Sequence, residues 1–229
     1  MKLFKKTERV IPDGPTWAEA RERLHDNGYA ACPVSFGSST PRGPWREHRM
    51  HWHYADEDGI GLFTREPAAP SESAPVYPEH HLISAIELRC EDSKLRDAYY
   101  AAIREQYPDI ERAPVRISSD GVEHLWLLKV DDYSFSGSES RIDENLWKRE
   151  GFRNPVQVIS GIAVILMSGY DRHDKPYFWE RGSPVDIPRA ELPAIGTSQA
   201  SAIIGAVERH RDTLWRAPPW LRFAGSTFQ

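Results

Sequence analysis

The chain has 229 residues, of which 40% are hydrophobic and 28% are charged, and its formal net charge at pH 7 is −5. This length and composition are those of a globular protein that buries its own core, which excludes a small scaffold that depends on disulfides or metals for stability. The acidic balance also argues against a protein built mainly to coat nucleic acid, because such proteins are usually basic.

The N-terminal half of the sequence predicts a helix and three strands, followed by a second helix. Thr16 is a suitable N-cap, Glu19 completes a capping box, and Asn27-Gly28 ends the first helix. Strands are expected at residues 29–36, 60–63 and 82–88. Asp92 can cap the second helix, which has apolar residues on one face at Leu95, Ala98, Tyr99, Ala102 and Ile103.

The C-terminal half predicts several strands close together and one further helix. Strands are expected at residues 115–117 and 124–130, and around Tyr177 to Trp179. The stretch VQVISGIAVILMSG predicts two strands around Ser160-Gly161, which we interpret as a hairpin. Thr197 caps a last helix that ends near Arg211. Runs of adjacent strands indicate an α+β fold with mixed or antiparallel sheets and flanking helices.

The elements predict a single domain over residues 16–211, between an N-terminal tail (1–15) and a C-terminal tail (212–229). Two segments inside the domain lack an apolar pattern: a proline-rich mobile loop at 64–80 and a polar excursion at 131–154. Charge divides along similar lines. Residues 55–145 contain 9 basic and 20 acidic side chains, a net charge of −11, whereas the regions before and after each carry +3. The two basic ends could still form one basic face.

The cysteines and apolar runs bear on where the protein resides. Cys32 and Cys90 lie in strand-like segments, which indicates neither a disulfide framework nor a CxxC site. The first ten residues are basic but lack the apolar core of a signal peptide. The longest apolar run, residues 162–167, is about a third of a membrane span. We therefore expect a cytoplasmic protein without membrane contact.

A histidine-rich segment is the first candidate for a metal site. His48, His51 and His53 do not share one helical face, and no thiolate is nearby. We interpret the segment as an aromatic-rich surface loop and predict no metal there.

Six segments in order carry a family resemblance: GYAACPV, PRGPW, GIGLF, AIELRCEDSKL, APVRISSDGVEHLWLL and the long stretch from NPVQVISG through KPYFW to PRAELPAI. Together they resemble the primase–polymerase domain of the archaeo-eukaryotic primase superfamily, in the form found at the N-terminus of phage and plasmid bifunctional DNA primase/polymerases. The resemblance runs from about Thr16 to His210 and is strongest over residues 154–195. It implies a primase–polymerase-like α+β fold.

The resemblance also implies a two-metal nucleotidyltransferase site, and the matching positions are altered. The family's Asp-x-Asp motif falls on Glu87 and Arg89, its small-x-His motif ends at His124, and its later single acid falls on Gln157. Divalent metals need carboxylate oxygens, which Arg89 and Gln157 do not provide. We predict a degenerate catalytic site with no metal, and Mg²⁺ or Mn²⁺ only if activity remains.

Binding could survive the loss of the metal site. The resemblance places Arg116, His124 and Lys175, with Arg89, along the former nucleotide cleft, where cations can hold phosphate. Four aromatic residues could stack on bases or could simply pack in the core or rim: Trp45, Trp52, Tyr54 and Trp179.

The leading hypothesis is a stand-alone, catalytically degenerate primase–polymerase-like protein of a mobile element. It would bind single-stranded or primer-template DNA, a nucleotide, or a protein partner. One alternative is an active metal-dependent DNA primase/polymerase that uses Glu87 and recruits a carboxylate from Glu91, Asp92 or Glu123. Another is an acidic protein-interaction module, an inhibitor or nucleic-acid mimic, that presents residues 55–145.

Overall fold

The computed structural model describes residues 17–34, 59–64, 82–130, 155–160, 164–169 and 175–215, in which helices pack on two sheets. The α-helices are α1 (Trp17–Asp26), α2 (Ser93–Gln106) and α3 (Thr197–Trp215), and short 3-10 helices occupy Pro108–Arg112 and Arg189–Glu191. The strands are β1 (Ala31–Val34), β2 (Gly59–Phe63), β3 (Ile83–Arg89), β4 (Val115–Ile117), β5 (Glu123–Val130), β6 (Val156–Ile159), β7 (Val164–Ser168), β8 (Phe178–Glu180) and β9 (Ala194–Ile195).

The strands form a three-stranded sheet and a larger sheet. The small sheet has the order β1-β2-β7, and the larger one has the order β6-β3-β5-β4-β8 with β9 beside β5. The pairings along both orders are antiparallel, whereas β9 runs parallel to β5. This arrangement confirms the predicted α+β fold with mixed or antiparallel sheets and flanking helices.

The helices begin at the positions that the sequence signals predict, or within one residue of them, and Thr197, predicted as a cap, is the first residue of α3. The side chain of Asp92 accepts a hydrogen bond from the backbone N–H of Leu95 at 3.0 Å, and this N-cap satisfies a donor that the first turn leaves free. Tyr99 and Ile103, from the apolar face of α2, are buried. Helix α3 runs to Trp215, four residues beyond its predicted end and into the predicted C-terminal tail.

The predicted hairpin around Ser160-Gly161 is wrong, although both of its strands exist. Strand β6 pairs with β3 in the larger sheet, and β7 pairs with β2 in the small sheet. The reason is that the two strands serve different cores: Val156 and Val158 pack with the helices, whereas Ile165 and Met167 pack between the sheets. Burial against these partners outweighs the local turn signal.

The larger sheet has two differently covered faces. On the helix face, Ile86, Leu88 and Trp126 join a core with residues of α2 and α3. On the inter-sheet face, Ala85 and Leu127 join a second core with α1 and the small sheet. Since successive residues of a strand point to opposite faces, each position in β3, β4 and β5 is assigned to one face by its register.

Some sequence predictions lie outside the described residues. These are the loop at 64–80 apart from Thr64, the excursion at 131–154, the histidine segment with His48, His51 and His53, and the aromatic residues Trp45, Trp52 and Tyr54. Among the helices that the structure describes, none combines the length and the apolar character that a membrane crossing requires.

Candidate functional site

The register of the larger sheet brings three of the predicted site residues into one row. Glu87 lies opposite Gln157 on β6 and opposite Leu125 on β5. Arg116 on β4 also lies opposite Leu125. Residues directly opposite each other share a face, so Gln157, Glu87 and Arg116 all belong to the inter-sheet face.

Arg89 joins this face two residues along β3 and pairs with both neighbouring acids. Its Nη2 donates a hydrogen bond to Oε1 of Glu87 at 2.8 Å. Its Nε lies 3.5 Å from Oε1 of Glu123, the residue opposite Arg89 on β5. The side chains of Glu87 and Glu123 are only 7% and 10% exposed, whereas Arg89 is 32% exposed. Arg89 therefore covers two buried carboxylates from the solvent side.

Arg116 and Tyr177 complete the group from the other side. Arg116 is buried, and its Nη2 lies 4.0 Å from Oε1 of Glu87, while its Nη1 donates to the backbone carbonyl of Leu166 in β7. Its guanidinium lies 4.0 Å from the centre of the Tyr177 ring, and the Tyr177 hydroxyl donates to Oε2 of Glu123 at 3.1 Å. We call these five residues the Arg–Glu cluster: Glu87, Arg89, Arg116, Glu123 and Tyr177.

Burial and neighbouring charges shift the pKa values of Arg89, Arg116 and Tyr177 in the Arg–Glu cluster. Burial lowers the pKa of Arg116, and the nearby carboxylates oppose that effect. Burial alone would also lower the pKa of Arg89, but the charges of Glu87 and Glu123 together outweigh it and raise the pKa. Burial raises the pKa of Tyr177 to about 12, so its hydroxyl stays a donor at neutral pH.

The Mg²⁺ or Mn²⁺ implied by the sequence resemblance does not fit this donor set. Hard divalent cations need several carboxylate or carbonyl oxygens, but Glu87 and Glu123 already bind guanidinium groups. Gln157 contributes only a neutral amide to the row. Across the parts of the chain that the structure describes, no group of three or more histidine, cysteine or acidic side chains is arranged to hold a metal ion.

His124 does not join the Arg–Glu cluster. It lies opposite Leu88 on β3 and Ile117 on β4, which are helix-face positions. Its Nε2 lies 3.1 Å from the carbonyl oxygen of Gly121, and its ring is tilted against Trp126 with centroids 5.7 Å apart. Burial lowers the pKa of His124.

The predicted grouping of His124 with Glu87, Arg89 and Gln157 is therefore corrected by the strand register. The small-x-His motif specifies only a spacing along the chain. Successive residues of a strand point to opposite faces of the sheet, so a difference of one position puts a side chain on the other face. Glu123, one residue earlier, takes the place on the inter-sheet face. For the same reason Arg116 and His124 lie on opposite faces of the larger sheet.

Other predicted residues have separate places. Lys175 is exposed, two residues before Tyr177. Trp179 donates from its indole Nε1 to the carbonyl of Met167 at 3.0 Å and packs against the inter-sheet core, which favours packing over base stacking. Of the substitute acids, Asp92 is engaged as the α2 cap.

Tyr177 is the member of the Arg–Glu cluster that sequence reasoning did not assign to the site. It lies just before β8, and β8 pairs with β4, the strand that carries Arg116. This pairing joins segments about sixty residues apart, so no local pattern around KPYFW could reveal it.

Comparison of the chain with protein-family models gives no match, and a search of curated proteins gives none. The primase–polymerase resemblance therefore remains a hypothesis that depends on the sequence motifs.

Proposed function

We propose that this chain is a primase–polymerase-like domain of a mobile element that has lost metal-dependent nucleotidyl transfer and acts as a nucleic-acid- or nucleotide-binding module. The observation that carries the proposal is the hydrogen-bonded ion pair between Arg89 and Glu87, with Nη2 and Oε1 2.8 Å apart. It occupies the positions where the motif comparison expects two metal-binding carboxylates.

The chemistry of polymerisation explains why this ion pair matters. Two-metal catalysis needs carboxylate oxygens that bind the cations while they align the attacking and leaving oxygens. A metal at Glu87 would have to displace Arg89 and would remain close to the guanidinium of Arg116, 4.0 Å from the same oxygen. Both effects disfavour a divalent cation, because like charges repel strongly where water is scarce.

The Arg–Glu cluster is not itself the proposed phosphate site. Its two arginines are balanced by two glutamates, and Arg116 is buried with its Nη1 bound to a backbone carbonyl. Support for binding comes instead from the motif resemblance and from the basic region that follows residue 145, where Lys175 is exposed.

A primer-synthesis assay tests the catalytic half of the proposal. The wild-type chain, Glu87→Ala and the exposed-residue control Glu105→Ala are incubated with single-stranded template, labelled nucleotides and Mg²⁺ or Mn²⁺. We expect no metal-dependent product from any of them. Product from the wild type and from Glu105→Ala that disappears in Glu87→Ala would instead establish an active primase/polymerase.

Fluorescence anisotropy with labelled single-stranded DNA tests the binding half. We expect binding that weakens as salt increases, because phosphate contacts release counterions. Absence of DNA and nucleotide binding at low salt would overturn this half. A stoichiometric complex with a basic protein in that case would support the acidic interaction module.

A further inference from the structure

A cavity of about 200 Å³ opens on the helix face, on the opposite side of the larger sheet from the Arg–Glu cluster. It is lined by residues of α2 and of strands β3, β4, β5 and β8, and three of them carry rings. The rings of Tyr100 and Trp126 are stacked, with centroids 5.3 Å apart and planes 5° apart, and His124 is tilted beside Trp126. One wall of the cavity is thus an aromatic platform.

Trp126 contributes a hydrogen-bond donor without an acceptor. The residue is only 2% exposed, and its buried indole Nε1 has no hydrogen-bond partner among the described residues. Buried donors nearly always have a partner, because leaving the bond unmade is destabilising. Because this nitrogen is itself buried, an acceptor in the cavity that Trp126 lines could reach it only after the lining side chains shift.

The charged residues around the cavity differ in whether their side chains already form hydrogen bonds within the protein. Arg96 donates from Nη1 to the carbonyl of Gly121 at 2.6 Å, and Arg181 donates to the carbonyl of Glu111 at 2.5 Å. Their guanidinium groups hold neighbouring backbone in place. The exposed carboxylates of Asp97 and Glu180 form no hydrogen bond or ion pair with another described residue. These two acids are therefore available as acceptors.

We propose that this cavity binds the ring of an amino-substituted nitrogen heterocycle of nucleobase size. The ring would stack on the aromatic platform and donate its amino group to Asp97 or Glu180. A shift of the lining side chains would let a ring nitrogen or carbonyl accept a hydrogen bond from Trp126. The volume lies below the range of about 300–1,000 Å³ that is usual for drug-sized ligands, so it suits one ring system with any sugar and phosphate outside. This inference rests on the proposed binding function, and it assigns one place where the bound nucleic acid or nucleotide would contact the protein.

The same ring chemistry could come from a free nucleoside or from an unstacked base of a single strand. An NMR titration with both probes separates these sources. In protein labelled with ¹⁵N-tryptophan, the Trp126 indole N–H signal is identified by its loss in Trp126→Phe. Adenosine, cytidine and a short mixed-sequence DNA oligonucleotide are then added in separate experiments. We expect a saturable shift of that signal with at least one of them.

Two variants and a matched control measure how much Trp126 and Tyr100 contribute to the affinity for the probe. Trp126→Phe keeps a ring but loses the donor, and should weaken binding of the shifting probe about tenfold. Tyr100→Leu removes the partner ring of the stack and should weaken it about tenfold or more. Trp179→Phe, whose indole donates to Met167 on the inter-sheet face, should leave the affinity unchanged.

The outcomes distinguish this site from the proposed function. If no probe shifts the Trp126 signal at about 10 mM, the cavity is not a ring site and the inference is overturned. If the oligonucleotide binds equally well to the wild type, Trp126→Phe and Tyr100→Leu without that shift, the inference is overturned while the binding function stands. If anisotropy also detects no DNA or nucleotide binding, both fail.

Discussion

Arg89 forms ion pairs with two buried glutamates, and this arrangement couples the charge state of the Arg–Glu cluster to folding. Glu87 and Glu123 lose most of their hydration when the strands pair, so each needs a cation or donor nearby. Arg89, Arg116 and the Tyr177 hydroxyl meet that need. A residue that would prevent metal binding in a polymerase is here part of what keeps the inter-sheet face folded.

Replacing Arg89 with Met should therefore destabilise the protein by about 3 kcal/mol at pH 7, because it leaves a buried carboxylate with a weaker partner. Urea denaturation measures the loss. Arg104→Met is the matched control, because Arg104 and Glu111 form an exposed pair at 3.2 Å, which should contribute about 0–1 kcal/mol.

The double variant Glu87→Gln with Arg89→Met gives a second check on the same argument. It removes the buried negative charge together with its partner, so part of the lost free energy of unfolding should return. If Arg89→Met costs no more than Arg104→Met, the cluster is not a coupled buried network.

At the scale of elements, the sequence predicts the secondary structure of a segment better than it predicts the strands and core residues against which that segment packs. The capping by Asp92 and the apolar spacing of Tyr99 and Ile103 act within one helix, so they are visible in the sequence. The partners of β6 and β7 depend on two distant cores, and that information is absent from the VQVISGIAVILM stretch itself.

The candidate site shows the same division. Glu87, Gln157 and Arg116 share a row because β3 pairs with β6 and β5, and β5 pairs with β4. The motif comparison anticipated the meeting of Glu87 and Gln157. It could not place His124, since a shift of one residue along a strand exchanges one face for the other.

The placement of His124 on the helix face predicts its titration behaviour. Burial lowers the pKa of His124, so a ¹H NMR titration should give a value below the ordinary 6.5. Because the folded protein then holds the proton less tightly than the unfolded chain does, the stability that this residue contributes is present above about pH 6.5 and falls as the pH decreases.

The variant His124→Gln should make the acid dependence of the urea midpoint less steep. A pKa above 6.5 for His124 would contradict this prediction. It would indicate that the nearby carboxylates of Glu180 and Asp97 outweigh the burial of the imidazole.

At the scale of the whole molecule, the two sheets are joined by a shared core and by hydrogen bonds that cross between them. Ala85, Leu125 and Leu127 of the larger sheet pack in one core with Ile165 and Met167 of the small sheet. Arg116 and Trp179 each donate to a backbone carbonyl of β7. The Arg–Glu cluster lies on the face between the sheets, so its geometry depends on their packing.

This shared core predicts that the two sheets unfold together. Leu127 is fully buried on the inter-sheet face, and Leu127→Ala should cost about 2–5 kcal/mol through the lost contacts and the cavity that remains. Far-UV circular dichroism and tryptophan fluorescence should report one coincident urea transition for the wild type and for the variant, with a lower midpoint in the variant.

Leu128→Ala is the matched control, because Leu128 is equally buried but packs on the helix face. It should lower stability by a similar amount, yet leave the Arg116 contact with β7 in place. Two separate transitions in Leu127→Ala would show instead that the small sheet is a unit of its own, and that the Arg–Glu cluster is held by the larger sheet alone.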